Sequence, residues 1–172
     1  MKKLVIASAL ILSSVGAFAQ NAKSDMYTEF SYVNVKVKSD AVSISPSAVR
    51  FVLGADIAPN ISIEGHALSG LNSDTMGVVE YKVDPGYGVF IKAKAQVTDS
   101  VNVYARVGWA RNELTGSAYG VSVSDAKSGL AGGAGVSFTL SKDTELFVDI
   151  MKYDTGSTVK TTTATTGIRI SF

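Results

Sequence analysis

The chain has 172 residues, enough for one domain, and a formal charge of +1. The absence of cysteine excludes a disulfide framework and a thiolate metal site, and the lone histidine, His66, excludes a His-rich metal site or a two-histidine mechanism. The near-neutral balance makes no electrostatic case for nucleic acid.

Residues 1–19 read as a secretory signal peptide. Lys2 and Lys3 form its charged start, residues 4–12 a short apolar run, and Ala17-Phe18-Ala19 a small-x-small cleavage pattern. Cleavage after Ala19 is expected, with Gln20 as the new N-terminus and residues 20–172 as the mature domain. The mature domain then carries 14 basic against 15 acidic residues. No later stretch has the roughly 18 apolar residues that a transmembrane helix needs.

From Met26 onwards apolar and polar or small residues alternate in segments of about ten, the period of strands with two unlike faces. The first segment, residues 26–37, sets Phe30 and Tyr32 against Glu29 and Ser31. The second, 48–58, sets Val49, Phe51, Leu53, Ala55 and Ile57 against Arg50, Val52, Gly54 and Asp56. Pro59-Asn60 turns the chain into the third, where Ile61, Ile63, Gly65 and Ala67 oppose Ser62, Glu64, His66 and Leu68. The fourth, 86–97, sets Tyr87, Val89, Ile91 and Ala93 against Gly88, Phe90, Lys92 and Lys94.

A turn at Thr98-Asp99-Ser100 leads to the fifth, where Val101, Val103, Ala105, Val107 and Trp109 oppose Asn102, Tyr104, Arg106 and Gly108. The sixth, 129–140, sets Leu130, Ala134, Val136, Phe138 and Leu140 against Ala131, Gly133, Gly135, Ser137 and Thr139. Ser141-Lys142-Asp143 turns into the seventh, with Leu146, Val148 and Ile150 against Glu145, Phe147, Asp149 and Met151. The eighth, 161–172, sets Ala164, Ile168, Ile170 and Phe172 against Thr165, Gly167, Arg169 and Ser171.

The connections alternate in length. Those after the second, fourth and sixth segments are tight, while residues 39–47, 69–85, 112–127 and 154–160 are longer and polar. Outer-membrane barrels have short periplasmic turns and long extracellular loops, so both termini are expected in the periplasm. Within 112–127, the run Tyr119, Val121, Val123 hints that the fifth and sixth strands continue outwards.

One face of this pattern is too polar for a dry core. It carries Glu29, Arg50, Asp56, Glu64, Lys92, Lys94, Arg106, Asp149 and Arg169, and uncompensated charges are costly in an apolar interior. A membrane barrel resolves the conflict, with a polar interior and an apolar exterior against lipid. Closure is then required, because lipid satisfies no open backbone edge. The expected fold is an all-β, eight-stranded, antiparallel up-and-down transmembrane barrel. Tyr87 and Trp109 fall at one rim and Phe138 and Phe172 at the other, as an aromatic girdle would.

The last strand ends with Ile168, Ile170 and Phe172 alternating on one face, Phe172 being the final residue. This resembles the terminal assembly signature of outer-membrane barrels. With the leader and the strand count, the mature chain resembles the OmpA/OmpX-type small-barrel superfamily over nearly its whole length. The resemblance implies a bacterial outer-membrane location and, during biogenesis, the barrel-assembly machinery as partner. It does not imply one function, because this fold hosts many.

The lumen-facing charges nearly balance, and Glu29, Glu64, Lys92 and Arg106 are expected to form a mid-barrel ion-pair network with Arg50, His66 and Asp149. Two readings stand side by side: an ion path and a structural plug. The plug is preferred, and the resemblance implies it too.

His66 shares a face with Glu64, which raises a general base or a pH sensor. Some small outer-membrane barrels are lipid-modifying enzymes with a Ser/His/acid set, but strand geometry puts Ser69 on the opposite face. Gly132, Gly133 and Gly135 lack the strand-to-helix turn of a phosphate loop, so no cofactor is expected. These glycines are read instead as room for Arg106 and Phe147.

The functional expectation is a non-enzymatic, monomeric barrel with outer-membrane lipids as partners and a structural or surface-interaction role in adhesion or envelope integrity. The surface partner stays open. A narrow porin-like channel, a lipid-modifying enzyme and, with the faces inverted, a soluble β-sandwich or lipocalin-like carrier are the alternatives.

Overall fold

Strict alternation over long segments makes ribbons with one apolar and one polar face, and only closure lets both faces find suitable surroundings. The computed structural model describes residues 26–38, 43–76, 78–119, 121–154 and 160–172. The expected signal peptide lies outside them. The elements in order are β1 (Met26–Lys38), β2 (Ser43–Ile44), β3 (Ser47–Ala58), β4 (Ile61–Asn72), β5 (Asp74–Met76), β6 (Val79–Val83), β7 (Gly86–Thr98), β8 (Val101–Ala118), β9 (Val121–Ser141), β10 (Thr144–Asp154) and β11 (Lys160–Ser171).

Eight of these strands close into an antiparallel barrel in the order β1, β3, β4, β7, β8, β9, β10, β11, each paired with its neighbour in sequence. Pairing of β11 with β1, from Tyr27 opposite Ser171 to Lys38 opposite Lys160, completes the ring. The expected fold and strand count are observed. Three tight turns, at Pro59-Asn60, Asp99-Ser100 and Lys142-Asp143, gather at one end, each with a break in register beside it. A bulge there tightens the local twist as the chain reverses.

The other end departs from the sequence reading. Residues 112–127 are not a loop: as the run Tyr119, Val121, Val123 hinted, β8 and β9 continue as a paired ribbon from Asn112 opposite Lys127 to Ala118 opposite Val121. Tyr119, at φ 50°, tops the turn. Residues 69–85 are not a plain loop either. They hold the end of β4 and the β5–β6 hairpin, and β6 adds to β8 from Glu80 opposite Ser117 to Val83 opposite Leu114. Within 39–47, β2 pairs back on the end of β1. Polar composition suggested loops here. Backbone pairing outweighs it, because a solvated ribbon has no need of an apolar face.

The faces fall as the alternation requires. Phe30, Val49, Ile63, Ile91, Val107 and Ile150 are exposed on the outer wall, while Glu29, Arg50, Glu64, Lys92, Arg106 and Asp149 are buried inside. The inverted arrangement of a soluble carrier is thereby excluded. The glycines of β9 make room for residues other than those expected. A Cβ on Gly135 would stand 2.5 Å from Cζ of Tyr104, and one on Gly133 would stand 2.6 Å from Cγ of Met151. Register alone leaves two claimants at each, Arg106 and Met151 opposite Gly133 and Tyr104 and Asp149 opposite Gly135, and it is the Met151 stem and the Tyr104 ring that fold over the glycines. Gly135→Ala is expected to displace the Tyr104 ring and cost about 1–3 kcal/mol by overpacking. Urea unfolding of the lipid-embedded barrel measures this, and an unchanged midpoint would mean the ring has space to move.

Candidate functional site

The chemistry-bearing residues converge inside the barrel at mid-height. Odd-numbered residues of β1 point inward, so Tyr27 and Glu29 enter the lumen together. Even-numbered residues of β4, β7 and β8 bring Glu64 with His66, Lys92, and Tyr104 with Arg106. β10 supplies Asp149, β3 Arg50 and β11 Arg169.

Arg106 is the hub. Its guanidinium donates to Glu29 Oε2 at 2.6 Å and to Asp149 Oδ2 at 2.6 Å. Its Nε lies 2.7 Å from Glu64 Oε2, off the N–H axis, so that contact is ionic rather than a hydrogen bond. Glu29 also receives Lys92 Nζ at 3.1 Å and Arg169 Nη2 at 3.0 Å. Glu64 accepts the Tyr27 hydroxyl at 2.6 Å, meets His66 Nε2 at 2.9 Å and lies 3.4 Å from Lys92 Nζ. Asp149 accepts Arg50 Nη2 at 2.6 Å. The structure thus brings together all seven residues expected in the network.

Burial makes this arrangement consequential. Glu29, Glu64 and Lys92 are 0% exposed and Arg106 only 3%. Charges so placed persist when each is paired and hydrogen-bonded. Aromatic faces add to the pairing: Lys92 Nζ lies 4.2 Å from the Tyr104 ring centroid, and the Arg169 guanidinium 4.2 Å from that of Tyr27. Towards the tight-turn end Arg169 reaches Glu145 at 3.4 Å, and Lys94 pairs with Asp56, which also accepts from Ser62.

A second layer lies on the loop side of the ions. Phe90, Ala110, Ala131 and Met151 form a buried apolar cluster, with Tyr153 against it. His66 stacks on Phe90 at 4.2 Å between centroids, joining the two layers. Sequence reasoning did not assemble this layer, nor the parts of Tyr27, Tyr104 and Arg169 in the network. Strand parity was the signal: each shares a face with a residue already assigned to the lumen.

Ser69 is exposed on the outer wall, away from His66, and the Ser62 hydroxyl is engaged by Asp56. No Ser/His/acid set forms among the described residues, and no group of side chains there suits a metal ion. The ionic and apolar layers lie one above the other inside the barrel. On the outer wall Tyr87, Trp109, Phe138 and Phe172 are all exposed, as are Ile168 and Ile170.

Comparison with known proteins agrees with this architecture. Residues 5–172 match the family model described as outer membrane protein beta-barrel domain. No curated protein matches the chain. Among solved structures, Ail, the attachment invasion locus protein of Yersinia pestis, is 18% identical with a TM-score of 0.68, covering 88% of this chain and 100% of its own. Neisserial surface protein A is 16% identical with a TM-score of 0.74, covering 86% and 97%. OprG from Pseudomonas aeruginosa is 14% identical with a TM-score of 0.53, covering 89% and 98%. At such identities the likeness is one of fold.

Proposed function

Because this chain belongs to the outer membrane protein β-barrel family, we propose that it acts as a plugged, non-enzymatic barrel whose role is interaction at the cell surface. The tight turns and the chain termini face the periplasm and the β8–β9 ribbon faces outward, in line with the short-turn, long-loop asymmetry of such barrels.

The observation that carries this reading is the length of the ribbon. A membrane-crossing strand needs about 9–11 residues, whereas β8 has 18 and β9 has 21. The excess stands beyond the apolar wall as a sheet of β6, β8 and β9. On β10 the last partner of β9 is Asp154, opposite Leu130. Beyond it residues 121–126 have β8 on one side and no strand on the other among the described residues, while Lys127 has an interaction of its own. Ser124 and Ala126 are small and exposed along this stretch. A backbone edge of this kind receives an extended segment of a partner by strand addition.

Two measurements test the proposal. The purified barrel in a planar bilayer is expected to show little conductance, since the ionic and apolar layers block the lumen; large stable channels would favour the porin-like reading. Replacing residues 115–124 by an Asn-Gly turn keeps the register of β8 with β9 and removes the ribbon tip. Bacteria displaying this variant are expected to lose adherence to a cultured epithelial monolayer while the barrel keeps its heat-dependent mobility in SDS gels. Undiminished adherence would refute the surface role.

A further inference from the structure

The outer wall is not uniformly convex. Across β11, β1, β3 and β4 it carries a groove of about 530 Å³. Its upper row holds Thr166, Tyr32, Val49 and Ser69, and the next row towards the tight turns includes Phe30 and Ala67. The depth comes from contrast in size, since Phe30, Tyr32 and Phe51 stand proud of Thr166 on one side and of Ala67 and Ser69 on the other. The floor is apolar, and the outward-facing hydroxyl groups gather on the upper row, the Ser31 hydroxyl being buried and bonded to the Arg50 carbonyl.

Basic residues lie beyond that row. Lys36 is four residues past Tyr32 on the same face of β1, about 13 Å along the strand. Thr162 of β11 lies opposite Lys36, and Lys152 of β10 lies opposite Thr162, so the two lysines share one row with a threonine between them. Both lysines are exposed. Their backbones are two strand spacings apart, about 10 Å, and their flexible four-carbon stems let the ammonium groups converge on one anion. Asp154, two residues on from Lys152 along β10, has an interaction of its own.

The wall therefore passes from apolar to hydroxyl to ammonium over the reach of one lipid molecule. We propose that this face is a binding site for a single anionic, phosphate-bearing lipid of the outer leaflet, with an acyl chain in the groove and its phosphate between Lys36 and Lys152. The proposal rests on the outward orientation of the β8–β9 ribbon given above. A bare apolar wall holds annular lipid without regard to headgroup. Cations placed above a groove add a preference for anionic headgroups.

The test is native mass spectrometry of the protein released from nanodiscs holding equal amounts of phosphatidylglycerol and phosphatidylcholine with identical acyl chains. The wild-type barrel is expected to retain phosphatidylglycerol over phosphatidylcholine by about tenfold or more. The double variant Lys36→Gln, Lys152→Gln is expected to retain the two equally. Ala67→Phe, which fills the groove, is expected to lose both. Lys142→Gln, in a tight turn at the far end, is expected to change nothing. Heat-dependent mobility in SDS confirms that each variant is folded. Equal retention by the wild type, or a preference that survives loss of both lysines, would overturn the site. The nanodisc is symmetric, so the result does not depend on orientation. Orientation is read separately, by labelling the Tyr119→Cys variant on intact cells with an impermeant maleimide. Retained lipid preference in a Tyr119→Cys barrel that resists labelling would overturn the outer-leaflet assignment alone.

Discussion

Arg106→Ala is expected to destabilise the barrel by about 3–5 kcal/mol, the cost of breaking a buried ion pair by removing one partner. This guanidinium contacts Glu29, Glu64 and Asp149, carboxylates from three different strands. Lys92 and Arg169 still face Glu29, and Arg50 still faces Asp149. Glu64 keeps Tyr27, His66 and the longer contact to Lys92. With Glu145, which shares Arg169, four carboxylates would then face the three cations Arg50, Lys92 and Arg169. Water must enter the space left by the side chain, so measurable conductance is expected to appear along with the loss of stability. Arg106→Lys keeps the charge but not the fork that serves three acceptors, and should fall between the two. Urea unfolding in lipid and single-channel recording check both expectations. Unchanged stability in Arg106→Ala would show that the network is solvated enough to do without its hub.

Val107→Arg is expected to cost about 2–4 kcal/mol, and Val97→Arg about 0–1 kcal/mol, because the penalty for a basic residue on a lipid face depends on depth. Val107 and Val97 are exposed to similar extents, 58% and 61%. Val107 lies opposite Ile91 and Gly132 within the apolar wall, whereas Val97 sits at the end of β7 beside the Asp99-Ser100 turn. In water the two substitutions would cost alike, since exposure alone would govern them. Unfolding both variants from liposomes measures the difference. Equal and small effects would mean that the outer wall does not meet hydrocarbon.

Much of the fold is legible in the residues because its dominant signal is local. Alternation with period two settles which side chains share a face without knowledge of any partner strand. Glu29 and Phe30, or Arg106 and Val107, are assigned to opposite walls by parity alone, and the structure places them there. Turn chemistry at Pro59-Asn60, Asp99-Ser100 and Lys142-Asp143 separates the strands equally locally. A wall of Val, Ile and Phe backed by a wall of paired charges then leaves little but a closed barrel in lipid.

What is not local had to wait for the tertiary structure. That Arg106 of β8 is the hub, and that Arg169 joins Glu29 across 140 residues of chain, depends on register and closure. The room left by Gly133 and Gly135 goes to Met151 and Tyr104 rather than to Arg106 and Asp149, which lie opposite the same glycines, and side-chain packing across strands decides it. The ribbon of β8 and β9 is polar, so its composition reads as loop while its backbone pairs as sheet. The groove beneath Lys36 arises from residues on four strands that are neighbours only in the assembled wall. Alternation determines which wall each residue belongs to, and inter-strand register decides which residues meet on it. Tight turns fix the register inside a hairpin, but the pairings that close the ring, β1 with β11 above all, join segments far apart in the chain, and no single segment encodes them.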